Sequence, residues 1–310
     1  MRPMQLCRDT SHTMPPGLCS MQQHPYYGAT LRHMGAQVHQ IVARDGSRRI
    51  AQVQLIERRF GPARLLWLPQ GPVWGPGACL RDRQTVLSQL ATALDHPAGL
   101  LGCADDIHDI HHYHQAGFRA LWTPQYRAEL PLTLPQSSRL ATQSQKWRNR
   151  LRHAERSALC IGHRPFHPQK DDWLLHRDRA QQRAKDYTAL PTAFAKAWAT
   201  CQPHSARLFL AHLNARIVAA ILILRHPPTA SYHIGWSGPE GRAHSAHNLL
   251  IWTAANWLAR TGCQRLDLGS VDTQNAPGLA RFKLGSGAKL RPTGPTMLRL
   301  PGLARRRVAA

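Results

Sequence analysis

The chain has 310 residues, enough for two domains, and its 43% apolar content can fill two cores, so wholesale disorder is excluded. Its 40 Lys+Arg against 17 Asp+Glu give a net charge of +23, a field that draws polyanions such as RNA, nucleotide phosphates and anionic membrane surfaces; a genome rich in arginine codons accounts for the same excess without a ligand. The longest strongly apolar run, Ile217–Leu224, is far short of the ~20 residues that span a bilayer, and seven scattered cysteines with no CxxC pair exclude a disulfide framework or a zinc ribbon.

Met1–Ser20 carries Pro15, Pro16 and polar residues where a secretory signal needs an apolar stretch, so a cytoplasmic location is expected. Gln37–Ala43 and Arg49–Glu57 are rich in β-branched residues, and the Asp45-Gly46 pair between them signals a hairpin. Arg64–Leu68 reads as a further strand that runs into the Gly/Pro-rich stretch Pro69–Gly77. Arg83–Asp95 has helical spacing, with Val86, Leu87, Leu90 and Leu94 on one side. His108, His111, His112 and His114 have i, i+3 and i+4 spacings that metal ligands use, but no Glu or Cys completes a motif, and a polar helix with solvated imidazoles is the plainer reading.

Pro131–Ser138 reads as a connector, and Gln143–Leu159 as a helix with Trp147, Leu151, Ala154 and Ala158 on its buried stripe. The rest of that helix is basic: Lys146, Arg148, Arg150, Arg152, His153 and Arg156 face only Glu155. A one-signed face fits phosphate contact as well as simple solvation. Helices are expected at Asp171–Gln182 and Thr192–Cys201, then three meander strands at Ala206–Leu213, Ile217–Arg225 and Ala230–Trp236. A loop through Gly238 and Gly241 leads to a helix at His247–Arg260, stopped by Gly262, and Gln264–Leu268 is the next strand. The order β-β-β-loop-α-β is α+β with a parallel crossover around the helix.

That order is the core order of the GNAT acyltransferases, and particular residues resemble their FemAB-like branch, the peptidoglycan interpeptide-bridge aminoacyltransferases and their relatives. The marks are Gly71-Pro72-Val73-Trp74, Lys146–Arg152 with Ala154-Glu155, Tyr232-His233-Ile234-Gly235, Asn248–Trp252, Leu266-Asp267-Leu268-Gly269, and Gly278–Ala288 around Phe282-Lys283. They span about residues 20–300. The resemblance implies an α+β fold of two GNAT-like domains, each a mixed, mostly antiparallel sheet flanked by helices. The expected divisions are 1–136, a basic linking helix at 137–160, a domain at 161–300 with the fuller motif set, and a basic tail at 301–310.

By the same resemblance, Lys283 stabilises an oxyanion or holds a phosphate, Phe282 stacks on a nucleobase, and Asp267 orients the acceptor amine or takes its proton. Trp74, Arg148, Asn149, Arg152, Tyr232, Gly235, Gly269 and Gly285 are the expected substrate-binding positions. Aminolysis needs a neutral amine, a positioned carbonyl and oxyanion stabilisation, with no protein nucleophile, so the lack of a Gly-x-Ser-x-Gly elbow is consistent with transfer. The implied function is transfer of an aminoacyl or acyl group to an amine, such as that of a cell-wall precursor, with no tightly bound cofactor. The donor is aminoacyl-tRNA or acyl-CoA. The segment Gly238–Ser245 departs from the usual pyrophosphate-binding loop, because Pro239 lacks an N–H and Glu240 adds negative charge. The expected partners are the acceptor and tRNA, with peripheral contact to an anionic membrane surface and no transmembrane segment. The alternative is an idle GNAT fold that binds nucleic acid through its basic helix.

Overall fold

The computed structural model describes residues 4–9, 14–15, 17–61, 63–93, 99–187 and 189–300. The chain divides into two compact units, Met1–Gln125 with Pro292–Ala310, and Tyr126–Arg291. In chain order the first contains β1 (Gln5–Arg8), α1 (Pro25–His33), β2 (Val38–Asp45), β3 (Arg48–Phe60), β4 (Ala63–Leu68), β5 (Val73–Trp74), α2 (Leu80–Ala93), β6 (Leu100–Cys103), α3 (Ile110–Gln115) and β7 (Arg119–Ala120). The second contains β8 (Tyr126–Pro131), α4 (Gln136–Ala141), α5 (Gln145–Arg156), β9 (Cys160–Pro165), α6 (Asp172–Lys185), α7 (Thr192–Cys201), β10 (Ala206–Leu213), β11 (Arg216–His226), β12 (Thr229–Ser237), α8 (Pro239–Ala243), α9 (Ala246–Arg260), β13 (Arg265–Ser270), α10 (Pro277–Gly285) and β14 (Lys289–Pro292). The chain then returns to the first sheet with β15 (Thr296–Arg299).

The expected division differs from this at three places, each because a segment finds its partner across the boundary. Tyr126–Pro131 pairs with β13, so residues 126–136 join the second unit. Helix α5 packs on α9 and α10 and belongs to that unit rather than linking two. Thr296–Arg299 pairs with β6 and β7, which takes the end of the expected second domain into the first unit. The basic tail at 301–310 lies outside the described residues.

The first sheet has the order β1-β2-β3-β4-β6-β15-β7, with β5 paired to β3. The Asp45-Gly46 turn closes its β2–β3 hairpin with Gly46 at φ 60°, a conformation that suits glycine. Ile50, Val53, Leu55, Leu66, Leu68, Leu87, Leu90, Tyr113 and Phe118 form its core. His112 is buried on α3 while His111 and His114 are exposed, and no three of His, Cys, Asp and Glu among the described residues could hold a metal ion.

The second sheet runs β14-β8-β13-β12-β11-β10-β9, antiparallel throughout its recorded registers except for the β12–β13 pair. The meander and the crossover helix lie where the sequence places them. Strand β11 is buried on both faces, as its near-continuous apolar run requires. Phe209, Ile221, Ile223, Ala230, Leu266 and Leu268 pack with Trp147 and Leu151 of α5 and with Leu250, Ile251 and Leu258 of α9. Helix α5 is shorter than expected: the Ser144 hydroxyl caps its start, and β9 begins at Cys160 and pairs with β10. Among the described residues, no helix is long and apolar enough to cross a membrane.

Candidate acyl-transfer site

Hydrogen bonding between β12 and β13 covers only Thr229–Ser231 against Arg265–Asp267. Beyond that point β12 continues to Ser237 on β11 alone, and β13 continues to Ser270 on β8 alone. A β-bulge at His233, which has no register partner on β11, accompanies the parting. Six of the expected residues line this parting.

Asp267 sits where the two strands separate and is buried. Its Oδ2 accepts from Arg127 Nε at 3.0 Å and Nη2 at 2.5 Å, and its Oδ1 accepts from the Gly269 N–H at 2.7 Å. Gly269 has φ 86°, and a Cβ there would come 3.5 Å from Lys283 Nζ, so glycine suits both the backbone and the approach of the ammonium. Lys283 projects from α10, is 7% exposed, and donates from Nζ to the Ser270 carbonyl at 2.7 Å. Burial pushes its ammonium down to about 8; the nearby Asp267 carboxylate resists this and Arg127 adds to it. The group is thus a compact cation in a dry setting that holds its proton to about 8, well below an exposed lysine.

The other side of the parting is aromatic. The Tyr232 hydroxyl and His247 Nε2 share a hydrogen bond of 2.9 Å. Burial holds the tyrosine above its ordinary range, with Tyr187 and Asp178 contributing in the same direction. His247, in the first turn of α9, is pushed down to about 4 by burial and then by Lys185, so it is a neutral imidazole. Gly235 is a steric necessity here: a Cβ would overlap Tyr232 Oη and lie 2.8 Å from His247 Cε1. Phe282 packs its ring edge-on to His247 at 5.5 Å and tilted on Trp147 at 6.2 Å, so the surface expected to receive a nucleobase is already in contact with protein.

The remaining expected residues lie elsewhere. Gly285 lets α10 approach α5, since a Cβ would meet Ser144 Oγ at 3.1 Å and Trp147 Cδ1 at 3.2 Å, and its carbonyl accepts from the Ser144 N–H. Arg148 donates to the Ala141 and Gln143 carbonyls and to Gln145 Oε1, which ties α4 to α5. Asn149 and Arg152 are exposed on α5. Trp74 lies in the first unit, where its Nε1 donates to Asp109 Oδ2 at 2.6 Å. Sequence reasoning missed Arg127, Ser270, His247, Asp178 and Tyr187. Arg127 is 140 positions from its partner Asp267, a pairing with no local signal.

The segment before α9 folds as the short helix α8 rather than an open loop. The N–H groups of Gly238, Arg242, His244, Ser245 and Asn248 donate to backbone carbonyls, and Gly241 packs where a Cβ would overlap the Val218 carbonyl oxygen.

Residues 143–284 match the family model described as Acetyltransferase (GNAT) domain. No curated protein matches the chain in sequence. Among solved structures, FemX is similar with a TM-score of 0.78 at 12% identity, over 96% of this chain and 97% of that one. A tandem GNAT protein from the clavulanic acid biosynthesis pathway has a TM-score of 0.56 at 14% identity, covering 96% of this chain and 98% of that one. L-PGS from Bacillus licheniformis has a TM-score of 0.53 at 13% identity, over 92% and 94% of the two chains. The fold is therefore that of two GNAT-like units in tandem, with the acetyltransferase-domain match in the second unit.

Proposed function

We propose that this GNAT-fold chain is an N-acyltransferase of the FemAB-like kind, moving an aminoacyl group from aminoacyl-tRNA to the primary amine of an acceptor such as a cell-wall precursor. The observation that carries the reading is the buried Lys283 ammonium at the parting of β12 and β13, close to Asp267. In aminolysis the amine lone pair attacks the ester carbonyl carbon, the carbonyl π pair moves to oxygen, and collapse expels the leaving oxygen with a proton from nitrogen. A desolvated cation beside that oxygen lowers the barrier more than the same charge in water. Asp267 is a positioning residue: Arg127 and Gly269 fill its oxygens, and its charge keeps Lys283 protonated at neutral pH.

The folded segment Gly238–Ser245 supports the tRNA donor, because the amides of Gly238, Arg242, His244 and Ser245 already donate to backbone carbonyls, Pro239 has none to offer, and Glu240 brings a negative charge. The exposed Arg150, Arg152 and Arg156 of α5 add a basic face suited to RNA phosphates. Acyl-CoA is the second reading, favoured by the match of residues 143–284 to an acetyltransferase domain. The test incubates the protein with charged tRNA or acetyl-CoA and a panel of amines and follows amide formation. Amide formed from charged tRNA alone is the expected result. Transfer from acetyl-CoA alone would select the second reading, and RNA binding without transfer from either donor would leave a nucleic-acid-binding fold.

A further inference from the structure

Four residues of α6 lie on one stripe of the helix: Asp178, Gln181, Gln182 and Lys185, at i, i+3, i+4 and i+7. The Gln181 amide donates to the Tyr187 hydroxyl at 3.1 Å and to the Gly235 carbonyl at 3.3 Å. This ties the stripe to the β12 residue whose missing side chain makes room for the Tyr232–His247 pair. Asp178 is 6% exposed; its carboxylate accepts from Gln182 Nε2 at 2.7 Å and has the Tyr187 hydroxyl at 3.5 Å. Tyr187 itself is 39% exposed, so solvent reaches the place where Asp178 is covered.

Four aspartates are buried among the described residues, and three of them face a guanidinium: Asp109 faces Arg83, Asp171 faces Arg164, and Asp267 faces Arg127. Among the described residues, Asp178 has a glutamine amide and a phenol as its hydrogen-bond partners. Burial accordingly holds its carboxyl above the ordinary range, against the two hydrogen bonds. A carboxylate removed from water without a counter-charge is costly, and a bound cation removes the cost.

We propose that Asp178 receives the ammonium group of the acceptor, which enters past Tyr187 and supplies the cation that the described residues do not. The inference rests on the N-acyl-transfer reading and names how that site selects an amine. The ammonium gives one proton to the Asp178 carboxylate, leaving a neutral amine whose lone pair forms the new C–N bond. The second proton goes from nitrogen to the leaving oxygen, and Asp178 returns its proton to water.

The test compares Asp178→Asn, which keeps shape and loses charge, with Asp178→Glu, which keeps charge. Transfer kinetics are read beside binding of 1,5-diaminopentane, followed by thermal shift and by the NMR signals of the tyrosine rings. The Asn variant is expected to raise the acceptor KM about 10- to 100-fold, the scale of one charge-assisted hydrogen bond, and to lose diamine binding, with the donor KM unchanged. The Glu variant should retain part of both, and 1,5-pentanediol should bind neither protein. If the Asn variant keeps the parent KM and diamine affinity, Asp178 does not receive the acceptor ammonium and the inference falls. Should the Asn variant fail to fold, the Glu variant decides: charge-dependent diamine binding upholds the site, and its absence overturns it. A parent protein that binds the diamine through Asp178 but transfers nothing would sink the transferase reading and leave the amine site standing.

Discussion

Both units pair buried acids with guanidinium groups, Asp109 with Arg83 in the first and Asp171 with Arg164 and Asp267 with Arg127 in the second, but the second also holds buried groups left short of a counter-charge. In the first, Asp109 is clamped between Trp74 Nε1 at 2.6 Å and Arg83 Nη1 at 2.7 Å, with the guanidinium 5.4 Å over the indole. Glu57 lies near His39, Arg59 and Arg64. Gln23 and Gln54 bond each other's chain segments, and Gln40 donates to Gln54 Oε1 at 3.0 Å. In the second unit Asp178 has no cation among the described residues, burial lowers the Lys283 ammonium to about 8, and His233 and His247 are both pushed down to about 4 by burial. Completed pairs make a rigid support. Groups whose charge is held away from its ordinary range are what a proton-moving site requires.

The sharpest test of this contrast removes one acid from each unit. Asp109→Ala should destabilise the protein by about 3 kcal/mol, the low end for breaking a buried pair, because it leaves Arg83 and the indole N–H without their acceptor. Asp178→Asn should cost nothing or stabilise, since it deletes an uncompensated charge. Denaturant melts of both variants measure this. Equal losses would mean that the two acids play the same structural part.

Lys283→Met is expected to leave folding intact and to lower transfer about 10²-fold or more, the scale of one lost oxyanion partner. Arg should rescue only in part, because its planar fork does not reproduce a compact ammonium. The pH dependence has a definite sign. Lys283 holds its proton to about 8 in the fold against 10.5 for an exposed lysine, so the unfolded chain binds more protons between those values. Stability therefore rises with pH through that window, and the full penalty is present below pH 8. The Met variant should lose the rise, and transfer by the parent should decline above pH 8 as the cation disappears. His247, at about 4 against 6.5, works the same way lower down, with stability falling as pH drops from 6.5 toward 4. A parent whose melting temperature is flat from pH 8 to 10.5 would remove the case for a desolvated lysine.

Gly235→Ala should cost about 1–3 kcal/mol by overpacking and uncouple Tyr232 from His247. Gly162→Ala on the edge strand β9, where a Cβ meets nothing within 4 Å, is the matched control and should be near neutral. If both substitutions melt alike, the steric role of Gly235 is wrong.

How much of this was legible in the sequence follows from the range of each interaction. Strands β10 to β12 and helices α7 and α9 were readable because their apolar periodicity is local. The return of Thr296–Arg299 to the first sheet was not, because its partners are nearly 200 residues earlier in the chain. Lys283, Asp267 and Gly235 were reached through the family resemblance. Asp178 and His247 were passed over because a polar residue on a helix gives no sign of which way it faces. The Asp178, Gln181, Gln182 stripe, followed by Tyr187, was the one signal available, and it only acquires meaning when α6 lies against β12.

The smallest expected effect concerns α5, and here the fold corrects what charge alone suggests. Arg148, Arg152 and Arg156 read as three equal phosphate ligands, but the Arg148 guanidinium is spent on the Ala141 and Gln143 carbonyls and Gln145. Only Arg152 and Arg156 of these three remain exposed. Replacing both by Gln should reduce the slope of log affinity for tRNA against log salt by the equivalent of about two phosphates, and adding Arg148→Gln should change it little further. The third substitution should instead loosen the α4–α5 junction and lower the melting temperature. Filter binding across a salt series with the double and triple variants separates the two roles. A slope shallower by one more phosphate in the triple variant, with an unchanged melt, would show that Arg148 leaves its carbonyls for phosphate when RNA is present. A slope unchanged in the double variant would make the α5 face solvated surface, and the tRNA reading would then have to rest on another part of the second unit.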